Sequence, residues 1–117
     1  MSIERVKKPL IDLGLSDVDI QVYVFLSING PHNAREIAKK MALLREQIYR
    51  SLRNMQKKNT VKANNDYPVL FTAVPFEELV MLLANLKKEE AQSLRDSREQ
   101  LLSNWQKTIK KKVYETH

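Results

Sequence analysis

The distribution of proline and glycine divides the chain into two parts. All four prolines and both glycines lie within the first 75 of 117 residues, and none follows Pro75. Because these residue types interrupt helices more than any others, their absence predicts one continuous helix over residues 75–114. Forty helical residues extend about 60 Å, far beyond the size of the domain that precedes them. We expect a folded domain over residues 1–74 and a long C-terminal helix over residues 75–117.

A capping signal begins a helix in the first part of the chain. Ser16 is followed three residues later by Asp19, which resembles a capping box with Asp in place of Glu. Gly30 and Pro31 end the pattern, so the helix is predicted over residues 17–29. The apolar face that should pack inward consists of Ile20, Tyr23, Val24 and Leu26.

Helical periodicity also occurs on both sides of that segment. Residues 2–13 have apolar side chains at spacings of three and four, with Pro9 as a weak point. Asn33 can cap a helix over residues 34–41, in which Ile37, Ala38 and Met41 face inward. After a break of three or four residues the pattern resumes, with a recognition helix predicted over about residues 45–57. Two short helices with a tight connection are typical of a helix-turn-helix.

A β-hairpin is predicted after the recognition helix. Residues 60–63 and 69–74 are rich in β-branched or aromatic side chains, and an Asn-Asn-Asp group that favours turns lies between them. The tip carries an acid and no cation beyond Lys62, so we expect the hairpin mainly to cover the core, with Val61, Leu70, Phe71 and Val74. The predicted fold class is mainly α with a small β-hairpin: a winged helix-turn-helix followed by a long C-terminal helix.

Positive charge is concentrated in one region. Residues 35–62 contain nine cations and two acids, a local net charge of +7, whereas the whole chain carries +6. The remainder is therefore close to neutral. One concentrated basic region favours a polyanionic partner such as DNA, because neutralising phosphates releases counterions.

A helical wheel separates the recognition helix into two faces. Leu44, Ser51, Leu52 and Met55 fall within about 60° of Ile48, and this side is predicted to be buried. Polar residues cover the rest, and a second helix of this kind enters the major groove. Arg45, Glu46, Gln47 and Arg50 are predicted to contact bases, and Arg53, Asn54, Lys57 and Lys58 to contact phosphates, with Tyr49 on the flank of the same DNA-binding face.

These segments resemble the winged-helix domain of TrmB-like archaeal transcription regulators over about residues 10–82. The residues that carry the resemblance are Leu13, Gly14, Leu15, Ser16, Gly30, Pro31, Ala34, Arg35, Glu36, Ile37, Ala38, Tyr49, Leu52, Ala73, Val74 and Pro75. The resemblance implies sequence-specific binding of double-stranded DNA. Ala42 stands in the turn where the family often has glycine, and Asn59 replaces a usual glycine after the recognition helix. Larger members carry a sugar-binding effector domain; here we expect no small-molecule effector.

The long helix carries an imperfect apolar seam. Its members are Leu79, Leu83, Leu86, Leu94, Leu101, Trp105 and Ile109, at spacings of three, four, seven and eight. Glu90 and Ser97 interrupt the seam, so its register is weakly specified. A lone helix gains most of its stability from packing, and we therefore predict homodimerisation along this seam. Parallel and antiparallel arrangements both remain open.

Several function classes find no support in the sequence. The chain has no cysteine, and its two histidines, His32 and His117, are expected at the surface, so no metal site is predicted. We expect no cofactor, no enzymatic activity and no membrane partner, and the absence of a secretory signal favours a cytoplasmic protein. The alternative function is a protein-interaction adapter that recruits a partner through the long helix. RNA binding is a weaker alternative, because Tyr49 is the only aromatic residue of the basic face.

Overall fold

The computed structural model describes the backbone of residues 3–115 and the side chains of residues 5–112. Within that range the chain forms five helices and one antiparallel two-stranded hairpin. In chain order the elements are α1 (Ile3–Asp12), α2 (Asp17–Asn29), α3 (Ala34–Met41), α4 (Arg45–Lys57), β1 (Val61–Ala63), β2 (Phe71–Ala73) and α5 (Phe76–Glu115). The predicted fold class, a winged helix-turn-helix followed by a long helix, is confirmed. None of the described helices is both long and apolar enough to cross a bilayer.

The predicted caps of α2 and α3 are present. The Asp19 backbone N–H donates to Ser16 Oγ at 3.2 Å, and the Ser16 backbone N–H donates to Asp19 Oδ2 at 2.9 Å. At the other end of α2, Gly30 has φ 81°, a value that glycine adopts readily. The Glu36 backbone N–H donates to Asn33 Oδ1 at 2.8 Å. Both helices therefore begin and end where the sequence predicts.

The turn between α3 and α4 contains the first departure from expectation. Ala42 adopts the left-handed conformation with φ 54°, and the Leu44 backbone N–H caps α4 by donating to Gln47 Oε1 at 3.1 Å. The Leu44 side chain is 70% exposed, although the wheel places it on the buried side. That expectation is wrong because Leu44 precedes the first helical residue, and the angles of a helical wheel do not apply to it.

The hairpin is shorter than predicted. Val61, Lys62 and Ala63 pair with Ala73, Thr72 and Phe71, and the flanking residues of the predicted strands lie outside the ladder. Of the four residues expected to cover the core, Val61, Phe71 and Val74 are buried and Leu70 is half-buried.

His32 extends the hairpin by one bridge and is not a surface residue. Its backbone N–H donates to the Phe71 carbonyl at 3.3 Å, and its carbonyl accepts from the Phe71 N–H at 2.9 Å. The half-buried imidazole packs edge-on against Phe25, with ring centroids 5.0 Å apart. The segment between α2 and α3 is therefore joined to β2. The other predicted surface histidine, His117, lies outside the described residues.

The core is formed by one face from each helix of the first compact unit, Met1–Leu83, together with the hairpin. In α2, Val22 is fully buried, whereas the predicted Val24 is half-buried. The buried apolar residues are Leu10, Leu13, Leu15, Ile20, Val22, Tyr23, Leu26, Ala34, Ile37, Ala38, Ile48, Leu52, Met55, Val61, Phe71, Val74 and Leu79. The Tyr23 hydroxyl donates to the buried carbonyl of Val74 at 2.6 Å and so links α2 to the end of the hairpin.

The start of α5 belongs to this first unit. Leu79 is 0% exposed, and Leu82 and Leu83 pack half-buried against the same core. The prediction that Leu79 belongs to a dimer seam is wrong, because its side chain is enclosed by its own domain. The second unit, Ala84–His117, consists in its described part of the rest of α5. A functional division at residue 74 stays a prediction.

Candidate nucleic-acid interface

The inner face of α4 fixes the helix to the domain. Ile48, Leu52 and Met55 are essentially unexposed, and they recur at spacings of four and three, as one face of a helix requires. Removing three such side chains from water contributes several kcal/mol, at about 2 kcal/mol for each. The helix is consequently held in one rotational setting, which determines the residues that face outward.

The outer face of α4 presents the predicted polar residues to solvent. The exposed members are Arg45, Glu46, Gln47, Tyr49, Arg50, Arg53 and Lys57, with Lys58 directly after the helix. Within the described residues, none of the cations of α4 takes part in an ion pair. Their charges are therefore not neutralised from within, and the face keeps a concentrated positive field.

Asn54 has a different environment from the other predicted contact residues. Its side chain is half-buried, and its amide nitrogen donates to Asp19 Oδ2 at 2.6 Å. The same nitrogen lies 3.4 Å from the Gly14 carbonyl oxygen. Because both contacts lie on the inner side of α4, the Asn54 amide helps to orient the helix. Asn54 is therefore not among the side chains proposed to contact a phosphate.

Asp19 has a second structural role, beyond the cap of α2, that the sequence analysis did not predict. Its carboxylate is 2% exposed and accepts hydrogen bonds from the Ser51 hydroxyl, the Asn54 amide and the Ser16 backbone N–H. Three donors compensate the cost of burying this charge. Ser51 is the feature of the sequence that could have predicted this role. A hydroxyl in the middle of a buried apolar stripe requires a polar partner.

Two open grooves border the exposed face of α4. The first, of about 480 Å³, lies beside the start of α2 and is lined by Ser16, Val18, Asp19, Gln47, Arg50, Ser51 and Asn54. The second, of about 490 Å³, lies between the helix-turn-helix and the wing, and is lined by Asn33, Ala34, Arg35, Arg45, Tyr49, Tyr67, Pro68, Val69 and Phe71. Two arginines line the second groove and no acid does. Both grooves are continuous with residues predicted to contact DNA.

The wing brings one side chain that the sequence analysis did not single out. Tyr67, near the tip of the hairpin, is 96% exposed and lines the second groove together with Arg35, Arg45 and Tyr49. Lys62 is exposed on β1, and Asp66 is exposed at the tip. The tip of the wing therefore presents an aromatic side chain and an acid, and the cation Lys62 lies on the strand before it.

The seam residues of α5 beyond Leu83 lie on an exposed helix. Leu86, Leu94, Leu101, Trp105 and Ile109 are all exposed, and so are the apolar residues Val80, Met81 and Leu102 of the same helix. These side chains leave a row of large apolar groups exposed along α5.

The described residues offer no cluster of three or more His, Cys, Asp or Glu side chains that could hold a metal ion. In the same range every buried side-chain nitrogen and oxygen atom has a hydrogen-bond partner.

The range of the chain that matches a family model includes the basic face of α4. A profile described as "Sugar-specific transcriptional regulator TrmB" matches residues 10–77, which is more than half of the chain. The chain belongs to the TrmB family. Membership makes it a DNA-binding transcription regulator, and the matched range ends just after the start of α5. A search of curated proteins gave no match.

Solved structures show the same fold for this TrmB-family chain. A protein of the archaeon Sulfolobus tokodaii is 18% identical with a TM-score of 0.64, over 80% of this chain and 99% of its own. A possible transcriptional regulator of Methanosarcina mazei is 12% identical with a TM-score of 0.64, over 86% and 88%. A MarR family protein of Bacillus stearothermophilus is 14% identical with a TM-score of 0.54, over 78% and 66%. These similarities show the winged-helix architecture.

Proposed function

We propose that the protein is a sequence-specific regulator that binds double-stranded DNA as a homodimer, with α4 in the major groove. The single observation that carries the proposal is the outer face of α4, where Arg45, Arg50, Arg53 and Lys57 are exposed and have no ion pair within the described residues. The buried inner face and the Asp19 network support it, because they fix the direction in which these cations point.

The proposed contacts follow from position along α4. Arg45, Glu46, Gln47 and Arg50 lie in its first two turns, where a recognition helix approaches base edges. An arginine fork suits guanine, glutamine suits adenine and a carboxylate accepts from cytosine. Arg53, Lys57 and Lys58 follow at the other end and suit phosphates. Tyr49 and the second groove flank the same surface.

Replacing Arg50 and Arg53 by alanine tests the proposal. We expect the double variant to bind its DNA at least about tenfold more weakly and with a smaller salt dependence, because it neutralises fewer phosphates and releases fewer counterions. The control is Arg95→Ala, which removes one positive charge from an exposed position of α5 and, per charge removed, should have a much smaller effect. Unchanged DNA binding by a folded Arg50→Ala/Arg53→Ala variant would refute the proposed interface.

The homodimer part of the proposal is supported by the exposed apolar residues of α5. A twofold pair would place two copies of α4 on half-sites that repeat at one DNA turn or a multiple of it. Selection of bound duplexes from a random pool should then recover a palindrome. A single half-site from the same selection would contradict the dimer and leave the α4 interface standing.

The adapter function is the second candidate, and the same exposed apolar residues of α5 favour it. An adapter does not require affinity for nucleic acid. Retention of the protein on random duplex DNA at moderate salt therefore separates the two functions, since the non-specific binding expected of a basic recognition helix has no counterpart in the adapter.

A further inference from the structure

The seam of α5 carries opposite charges at equal distances on the two sides of Leu94. Glu90 lies four residues before Leu94 and Arg98 lies four residues after it, and all three side chains are exposed. On a helical wheel Glu90 and Arg98 fall about 40° to either side of Leu94, so both lie within the face that carries the apolar seam. Glu90 interrupts the apolar seam on one side of Leu94, and the oppositely charged Arg98 lies at the same distance on the other side.

The apolar residues follow this arrangement only in part, because Leu101 lies seven residues after Leu94 and its counterpart seven residues before it is Lys87. Leu83 precedes Leu94 by eleven residues and Trp105 follows it by eleven, and both fall within about 20° of Leu94 on the wheel. Leu86 and Leu102 are each eight residues from Leu94, on opposite edges of the face. An eleven-residue spacing keeps side chains on one face of a nearly straight helix. The centre of the face therefore consists of Leu94 with oppositely charged residues at equal distances on its two sides.

We propose that a second copy of this chain packs antiparallel on α5, with Leu94 of both copies at the twofold axis. The inference rests on the proposed homodimer and specifies its orientation and register. In this register Glu90 of each copy lies opposite Arg98 of the other. The polar interruption then becomes an ion pair inside the interface, of the kind that fixes register in paired helices.

The parallel arrangement is disfavoured by charge. Two parallel helices in register place Glu90 beside Glu90 and Arg98 beside Arg98, and like charges facing each other at an interface weaken association. They would also bring together the two copies of the lysine cluster near the end of the helix, Lys107, Lys110 and Lys111. In the antiparallel arrangement the two lysine clusters lie at opposite ends of the paired helices.

A second copy fits this surface better than an unrelated protein. An isologous interface must be complementary to itself, so that a residue on one side of the axis meets its partner on the other. The centre of the face meets this requirement, with Leu94 at the axis and the oppositely charged Glu90 and Arg98 at equal distances from it. A partner of different sequence would not need opposite charges at equal distances.

Cysteine cross-linking tests the orientation, because the natural chain contains no cysteine. Leu94→Cys should form a disulfide between copies in either orientation and therefore reports on the dimer itself. In the antiparallel register a mixture of Glu90→Cys and Arg98→Cys chains should cross-link, whereas either variant alone should not. Two copies of residue 90 would lie eight residues apart along the axis, about 12 Å, which exceeds the reach of a disulfide.

The outcomes separate the inference from the proposed function. Cross-linking of Glu90→Cys with itself would show a parallel pair, which overturns the inference and leaves the homodimer intact. A natural chain that sediments as a monomer, together with a Leu94→Cys variant that does not cross-link, would overturn both. Cross-linking of the mixture alone would support the antiparallel register.

Charge reversal provides an independent measurement on the same pair. Glu90→Arg alone and Arg98→Glu alone each create two like-charge contacts in the antiparallel dimer, and each should raise the dimer Kd by about tenfold or more. The combined variant restores opposite charges and should return the Kd close to that of the natural chain. In a parallel pair the single reversals merely replace one like-charge contact by another, so unchanged Kd values would overturn the inference.

Discussion

The amide of Asn54 donates a 2.6 Å hydrogen bond to the buried carboxylate of Asp19, which lies 35 residues earlier in the chain. The Ser51 hydroxyl, one helical turn before Asn54, donates to the same carboxylate. Two side chains of α4 are thus bound to the first turn of α2. This contact complements the apolar inner face of α4, because hydrogen bonds depend on direction and apolar packing does not.

Replacing Asp19 by alanine should destabilise the first unit by about 2–3 kcal/mol. The change removes the acceptor of Ser51 and Asn54 and half of the capping box, and it leaves buried donors without partners. The measurement is the free energy of unfolding from urea denaturation. The control is Asp17→Ala, since Asp17 is 81% exposed and its 3.6 Å ion pair with Lys7 is of the surface type that contributes little. Equal losses for the two variants would contradict the role assigned to Asp19.

Local signals in the sequence are sufficient for much of the fold. The bounds of α2 and α3 follow from Ser16 and Asn33, whose side chains bond to N–H groups three residues away. The outward direction of Arg50 and Arg53 follows from the spacing of Ile48 and Leu52, because a helix converts sequence spacing directly into angle.

The features that sequence reasoning missed depend on contacts between distant segments or on the exact start of a helix. Asn54 looks like a surface polar residue until α2 is placed beside it, and Leu79 looks like part of a seam until the core encloses it. Leu44 lies one position before the start of α4, where helix boundaries are least certain. Periodicity along one element cannot reveal either tertiary packing or the residue at which that periodicity begins.

Glycine at position 42 should stabilise the protein by about 0.5–1 kcal/mol. Ala42 has φ 54°, a conformation in which an alanine Cβ is strained and glycine is not. The gain is reduced by the extra freedom of glycine in the unfolded chain. Thermal or urea unfolding measures the change. The matched control is Ala84→Gly, the same substitution at an exposed helical position, which should not stabilise and should cost up to about 1 kcal/mol. A stabilising control or a destabilising Ala42→Gly would contradict the argument.

Alkaline pH should weaken the fold through Tyr23. Burial raises the pKa of its phenol above the ordinary value of 10.0, so the folded state favours the protonated form. The resulting stability is fully present below about pH 10 and is lost as the pH rises through the higher pKa of the folded state. Tyr23→Phe should flatten this loss in unfolding curves measured between about pH 8 and 11.

At neutral pH Tyr23→Phe should also lower the free energy of unfolding, whereas the control Tyr67→Phe should not. Tyr23→Phe leaves the buried Val74 carbonyl without its 2.6 Å donor and should lower the free energy of unfolding by about 1–2 kcal/mol. Tyr67→Phe removes the same hydroxyl from a side chain that is 96% exposed. It should leave the free energy of unfolding at neutral pH unchanged. If Tyr23→Phe still loses stability steeply at alkaline pH, groups other than Tyr23 cause that loss.

Replacement by alanine should have different effects at Leu79 and Leu94, although the sequence pattern places both in one seam. Leu79→Ala should reduce stability, and Leu94→Ala should reduce self-association. Leu79 is enclosed by its own domain, so Leu79→Ala should lower the free energy of unfolding by about 2–4 kcal/mol and leave self-association unchanged at native conditions. Leu94 is 67% exposed in the single chain, so Leu94→Ala should raise the dimer Kd in sedimentation equilibrium, while unfolding of the dissociated protein at low concentration stays close to that of the natural chain. A Leu79→Ala protein that dissociates without losing stability would return Leu79 to the interface. Equal Kd values for Leu94→Ala and the natural chain would remove Leu94 from it.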